Sequence, residues 1–455
     1  MAINSNSTDH TFHILSINRP VSIAPLITFR VAFGLLMFVS LLRFWWRGWV
    51  DTVYVQPRFH FTYWGFEWVK PLGSTGMHLV MAIVVISTIL IVLGFFYRIA
   101  SIVFFLGFTY LELIDMTTYL NHYYFISLVA FIMIWLPANR YYALDVWLQP
   151  QSRRQLVPAW TIGILRFQLA VVYIFAGLAK LNTDWLMLAE PMKTWLPGRS
   201  YLPLVGKYMY EEWVAYFFSW FGAVYDCCIV FFLLYRRTVL YAYLVVVIFH
   251  VGTAVFFPGI GMFPFVMIAA TPIFFPAGLH ERILGYFPLY RPSPVNGYQG
   301  MYAFRNKKML AIAIAVYILL QLIIPVRFLL YPGHLFWTEE GYRFSWRVML
   351  MEKAGAAYFT VTDSSHSNRT SISNAAWLTP LQEKMMSTQP DMILKYAHFL
   401  GEQFEKKGWR KPEVYAEVYV ALNGERSRLF IDSTVNLAAE PLSWKHYHWI
   451  LPYKK

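Results

Sequence analysis

Apolar runs of bilayer length constrain this chain more than any other feature. About nine stretches, near 23–46, 76–97, 99–115, 122–138, 160–180, 212–235, 238–257, 262–278 and 309–331, read as membrane-spanning helices. A backbone in hydrocarbon must satisfy its own N–H and C=O groups, so such runs fold as helices. The 455 residues are 58% hydrophobic and 19% aromatic, too apolar for an ordinary water-soluble core. RFWWRGW (43–49) and TYWGFEWVKP (62–71) suit headgroup depth, where tryptophan and tyrosine gather.

The net charge of +13 does not form one face or tail, which excludes a nucleic-acid-binding reading. Arg98, Arg140, Arg153, Arg154, Arg236, Arg237, Arg282, Arg291, Arg305, Lys307 and Lys308 all follow even-numbered spans. The positive-inside rule makes that side cytoplasmic, together with the N-terminus, although Arg47, Arg58 and Lys70 are a modest counter-signal. An odd number of crossings then puts the end of the chain on the other side.

Near residue 336 the texture changes. AAYFTVTDSS (356–365), VYAEVYVALNG (414–424) and RLFIDSTVNL (428–437) read as strands, and PDMILKYAHFLGEQFEKKG (390–408) as an amphipathic helix. The expected organisation is a polytopic helical membrane domain over 1–335 and a non-cytoplasmic soluble α+β domain over 336–455. Cys227 and Cys228 are adjacent inside an apolar run, unsuited to a disulfide or a metal site, and read as buried thiols. So few cysteines point to a bacterial inner membrane over the endoplasmic reticulum. The first twenty residues lack a signal-peptide pattern, while Asn6 and Asn368 begin short glycosylation sequons.

Ionisable groups at membrane depth are costly and mark function or a buried partner. Lys180 ends the span in YIFAGLAKLNTDW (173–185). Either it snorkels to the headgroups or it faces inward, where Ala176 and Gly177 allow close approach of another helix or a flat ligand. An apolar pocket disfavours the charged form of an amine and makes a neutral base available. His122 opens a span beside Asn121, and His250 lies deeper in its run; each is a structural or a site histidine. Asp226 and Arg30 read as structural partners, and Glu112 with Asp115 as an acidic patch or a cap. H-E-x-x-H, P-loop and dinucleotide motifs are missing, so no metal is expected.

Taken together, several segments resemble the vitamin K-dependent γ-glutamyl carboxylase family and its bacterial relatives, whose membrane unit is the horizontally transferred transmembrane (HTTM) domain. AGLAKLNTDW is similar to the family's G-x-x-K-L-x-x-D-W, and DMTTYLNHYY to its D-x-T-x-x-x-N-H. FHVGTAVFFPGIGMFPFVMIAATPIFF, EGYRFSW and VYVALNGERSRLFIDSTVNLAAE follow in the family's order. The resemblance places Lys180 on the catalytic lysine, His122 on the active-site histidine and Tyr342 on a substrate-site tyrosine. His250 and Asn121 join the substrate or quinone site. It implies that the lysine, as free amine, deprotonates reduced vitamin K (phylloquinol or menaquinol). Reaction with O2 then yields a strong base, which abstracts a γ-proton from a peptide glutamate. CO2 traps the carbanion as γ-carboxyglutamate, and the quinone leaves as its 2,3-epoxide. The implied partners are the bilayer, a lipidic quinol and a glutamate-containing peptide or protein.

Ala179 departs from the family's second lysine, and Gly341 stands where a larger apolar residue is expected. Propeptide-directed carboxylation is not expected of a chain lacking the longer C-terminal region. The alternatives are a quinol-oxygenating enzyme of this fold without peptide carboxylation, a non-catalytic transporter or receptor, and a structural membrane protein.

Overall fold

The computed structural model describes residues 18–287, 300–364 and 368–453. The Asn6 sequon, the N-terminal signal reading and Arg291 lie outside those residues. Seven helices among them are long and apolar enough to cross a membrane. They are α1 (Ala24–Trp46), α2 (Gly73–Leu93), α3 (Tyr97–Ile114), α5 (Trp160–Lys180), α6 (Glu212–Leu234), α7 (Val239–Phe256) and α10, whose regular part is Lys307–Ile323.

The other two expected spans exist in altered form. Helix α4 (Asn121–Trp135) has 15 residues, a rise of only about 22 Å, because Pro137 forces the preceding residue out of helical geometry. The eighth is broken: α8 (Phe263–Ala270) runs through a tight turn into α9 (Ala277–Gly285), with a bend of 108°. Pro272 and Pro276 remove backbone donors at the break.

One end of the bundle is tied by Arg30, buried on α1, which donates to the carbonyls of Ala138 at 2.9 Å and Tyr142 at 2.5 Å. Gly94 ends α2 with φ of 61°, and a Cβ there would lie 2.4 Å from the Arg30 Nη1. Only glycine meets both demands. At the same end β1 (Pro20–Ser22) pairs antiparallel with β2 (Leu156–Pro158).

The other end carries the α+β domain. Its sheet has the order β4-β3-β5-β6, from β3 (Lys353–Thr362), β4 (Arg369–Ser371), β5 (Glu413–Leu422) and β6 (Arg428–Leu429). The segment read as a strand over 428–437 is thus ordered as a two-residue strand and an isolated bridge from Ile431 to Ile450. Alternate β5 residues Val414, Ala416, Val418 and Val420 are buried. Helix α12 (Pro390–Lys406) covers them with Ile393, Ala397 and Leu400, which recur at helical spacing. Helix α11 (Pro380–Met386) opens on a capping box between Thr379 and Gln382. One apolar cluster joins this domain to membrane-domain residues Phe61, Met116, Trp185 and Met192.

Candidate active site

The stretch AGLAKLNTDW is the joint between α5 and α6. A Cβ on Gly177 would lie 2.7 Å from the Cys227 backbone nitrogen, so the two helices meet at van der Waals distance. That approach brings Lys180 beside Asp226. Lys180 Nζ donates to Asp226 Oδ2 at 2.7 Å and to the Ala176 carbonyl at 3.3 Å. Each side chain belongs to a residue only 6% exposed, which excludes the snorkelling arrangement.

Asn182, Asp184 and Trp185 of the motif each have a positional task. Asn182 accepts from the Trp185 N–H at 3.0 Å and starts the turn Thr183–Leu186. The turn sets the Trp185 ring 5.3 Å from Lys180 Nζ, and the indole N–H donates to the Ser219 carbonyl on α6. Buried Asp184 accepts from Asn423 of the α+β domain at 3.3 Å.

Lys180 and Asp226 open into a cavity of about 300 Å³. Its walls include Phe217, Phe221, Phe249, Phe256 and Phe263, with Val348 and Met349 contributed from the segment after α10. His250, 1% exposed, lines the same cavity; its Nε2 lies 3.3 Å from the Tyr173 hydroxyl and its Nδ1 has no partner among the described residues. The expected sites Lys180 and His250 therefore share one apolar chamber containing an ion pair and an unsatisfied imidazole nitrogen.

His122 is elsewhere. Its ring packs 4.6 Å from Tyr123 and 6.1 Å from Phe263, with buried Nε2 unpartnered among the described residues. Tyr123 lines a separate cavity of about 670 Å³ that also contains Glu112 and Met262. His122 thus stands in the partition between two cavities. Asn121 is a tether: its amide donates to the Arg347 carbonyl at 2.8 Å and its oxygen accepts from Tyr119 at 3.0 Å. Tyr342 lies outside the Lys180 chamber, against Phe336. Burial first, then Glu339, pushes its phenol above the ordinary range, against the opposing effect of Arg347, so it remains a hydroxyl at neutral pH.

Asp226, read as a structural partner, is the ion partner of Lys180. Asp115 is a cap, accepting from the Thr117 N–H at 2.9 Å. Cys227 is half-buried and Cys228 exposed on the helix, both free, which corrects the reading of two buried thiols. The aromatic wall from α6 was missed in sequence because phenylalanines in a span carry no mark distinguishing a cavity lining from a lipid-facing surface.

This fold and chamber define a multi-pass membrane protein with an apolar cavity around a buried ion pair, and residues 18–278, more than half the chain, match the family model for the HTTM domain. Residues 306–455 match a second model, described as the vitamin K-dependent gamma-carboxylase lumenal domain. The chain belongs to the vitamin K-dependent gamma-carboxylase family. No solved structure gives a significant match to it.

Proposed function

We propose that the chain is a vitamin K-dependent γ-glutamyl carboxylase that oxygenates the reduced quinone to its 2,3-epoxide and carboxylates glutamate in a peptide. The supporting observation is the buried Lys180–Asp226 pair opening into an apolar chamber. A γ-hydrogen of glutamate is too weakly acidic for a side-chain base; the reduced quinone, when bound with O2, supplies the stronger base, and CO2 traps the carbanion. The chamber suits such a ligand: aromatic walls match a flat ring, and the orphan His250 Nδ1 is a hydrogen-bonding partner for a ring oxygen.

Lys180 takes the first proton. Shifting its own proton along the 2.7 Å bond to Asp226 converts an ion pair into an uncharged amine and acid, with no change in net charge. The amine is then free to act as general base on a hydroxyl above it. Trp185 and the phenylalanine walls keep water out, protecting reactive species from quenching. His122, one wall away, serves as an orienting or acid–base group on the side of the larger cavity. Asn121 and Tyr119 hold the loop that carries Tyr342 and brings Val348 to the chamber. The protein sits in the bacterial inner membrane with its α+β domain on the non-cytoplasmic face, where a peptide substrate approaches.

Purified protein supplied with reduced vitamin K, O2, labelled bicarbonate and a glutamyl peptide should form epoxide and labelled γ-carboxyglutamate. Lys180→Ala should lower both by roughly a hundredfold or more, the scale of general-base catalysis. Wild-type protein that makes no epoxide would overturn the proposal. Epoxide without labelled peptide would favour oxygenation with a different acceptor.

A further inference from the structure

At the end of the bundle far from the α+β domain, α10 stands off from its neighbours. Only 11% of its apolar window is buried within the protein, against 56% for α5. The Tyr317 hydroxyl, which donates to buried Gln168, fastens it to α5 midway along its length. Beyond that bond a cavity of about 620 Å³ separates α10 from α4 and α5. The shortness of α4 helps make it: the helix stops at Trp135, which is half-exposed and lines the groove.

The groove has two chemistries. Its walls are apolar, including Phe131, Ile164, Met309 and Ala313. Its polar mouth holds Arg98 and Arg305, both exposed; among the described residues neither is in an ion pair and no acidic residue lines the groove. Trp135, Trp160 and Tyr302 also line the groove, the side chains that favour headgroup depth.

We propose that this groove is a binding site for one anionic phospholipid, its acyl chain between α10 and α4–α5 and its phosphate between Arg98 and Arg305. An uncharged lipid leaves two guanidinium groups without counter-charge at the rim. A free phosphate leaves the apolar walls uncovered. A lipidic anion satisfies both, and it supplies the packing that α10 lacks within the protein. The site is independent of the Lys180 chamber, which lies at the opposite end of the bundle.

The test is native mass spectrometry of delipidated full-length protein, titrated with phosphatidylglycerol and with phosphatidylcholine of the same acyl chains. Phosphatidylglycerol should bind roughly thirtyfold more tightly, the scale of two arginines acting on one anionic headgroup. Arg98→Gln with Arg305→Gln should reduce that preference to near unity, while Arg237→Gln on the same face leaves it intact. Ala313→Phe, which fills the groove, should weaken retention of both lipids. Thermal melting of each variant verifies that it is folded. Equal retention of the two lipids, a preference unchanged in the double variant, or an equal loss in Arg237→Gln would overturn the proposal. So would displacement of the lipid by glycerol phosphate alone or by a neutral quinol.

Discussion

Lys180 and Asp226 are stable only as a pair. Both side chains are buried, so removing one leaves the other uncompensated in an apolar wall. Asp226→Ala should therefore destabilise the protein by about 3–5 kcal/mol. The double variant Lys180→Met with Asp226→Leu should recover most of that loss, because well-packed apolar side chains replace a buried ion pair at little cost. Thermal denaturation in detergent compares the three proteins, and a double variant no more stable than Asp226→Ala would contradict the paired account. Lys180 was recognisable in sequence because an amine follows small residues at the end of a span. Its partner was not: Asp226 is 46 residues away, and an isolated aspartate in an apolar run does not say which cation it meets.

At the scale of helices, the site depends on how closely α5 and α6 approach. Gly177 provides the contact and places Lys180, one turn later, across from Asp226. Gly177→Val should push the helices apart, costing about 1–3 kcal/mol from overpacking and more activity than stability alone explains. A variant that melts as wild type does and retains full epoxide formation would refute this role. Span positions were legible from apolar run length, which is why α1, α2, α5, α6 and α7 lie close to their expected bounds. The short α4 and the break after α8 were less so, since proline effects depend on local geometry that hydropathy averages away.

The whole molecule is held together across the boundary between the bundle and the α+β domain. Gln382 of α11 donates to the Phe59 carbonyl at 2.7 Å and to Asp115 Oδ2 at 2.8 Å. Gln382→Leu should cost about 1–3 kcal/mol and increase hydrogen exchange on both sides of the contact. Burial raises the Asp115 carboxyl above its ordinary value, overriding its hydrogen bonds. The folded state thus binds that proton more tightly than the unfolded state, and stability from this group is lost as pH rises through the raised value. The lost Gln382 bond served the charged form most, so the Gln382→Leu penalty should shrink as pH falls and Asp115 protonates. A penalty independent of pH would show that Asp115 is not the group affected.

Sidedness belongs to the same scale. In a Cys227→Ala, Cys228→Ala background, Lys445→Cys should react with an impermeant maleimide from outside intact cells. Labelling only after the membrane is opened would reverse the proposed orientation.

Chain chemistry alone was enough to establish a helical membrane protein and a C-terminal region of alternating strands, whereas for Lys180 it left both a snorkelling and an inward-facing amine open. Those two features follow from local patterns of polarity, which a bilayer reads directly. Folding alone decided that Asp226 faces Lys180, that His250 shares their chamber, and that Phe263 separates them from His122. Those relations join residues far apart in the chain, and helix packing, unlike hydropathy, depends on which faces meet and how closely.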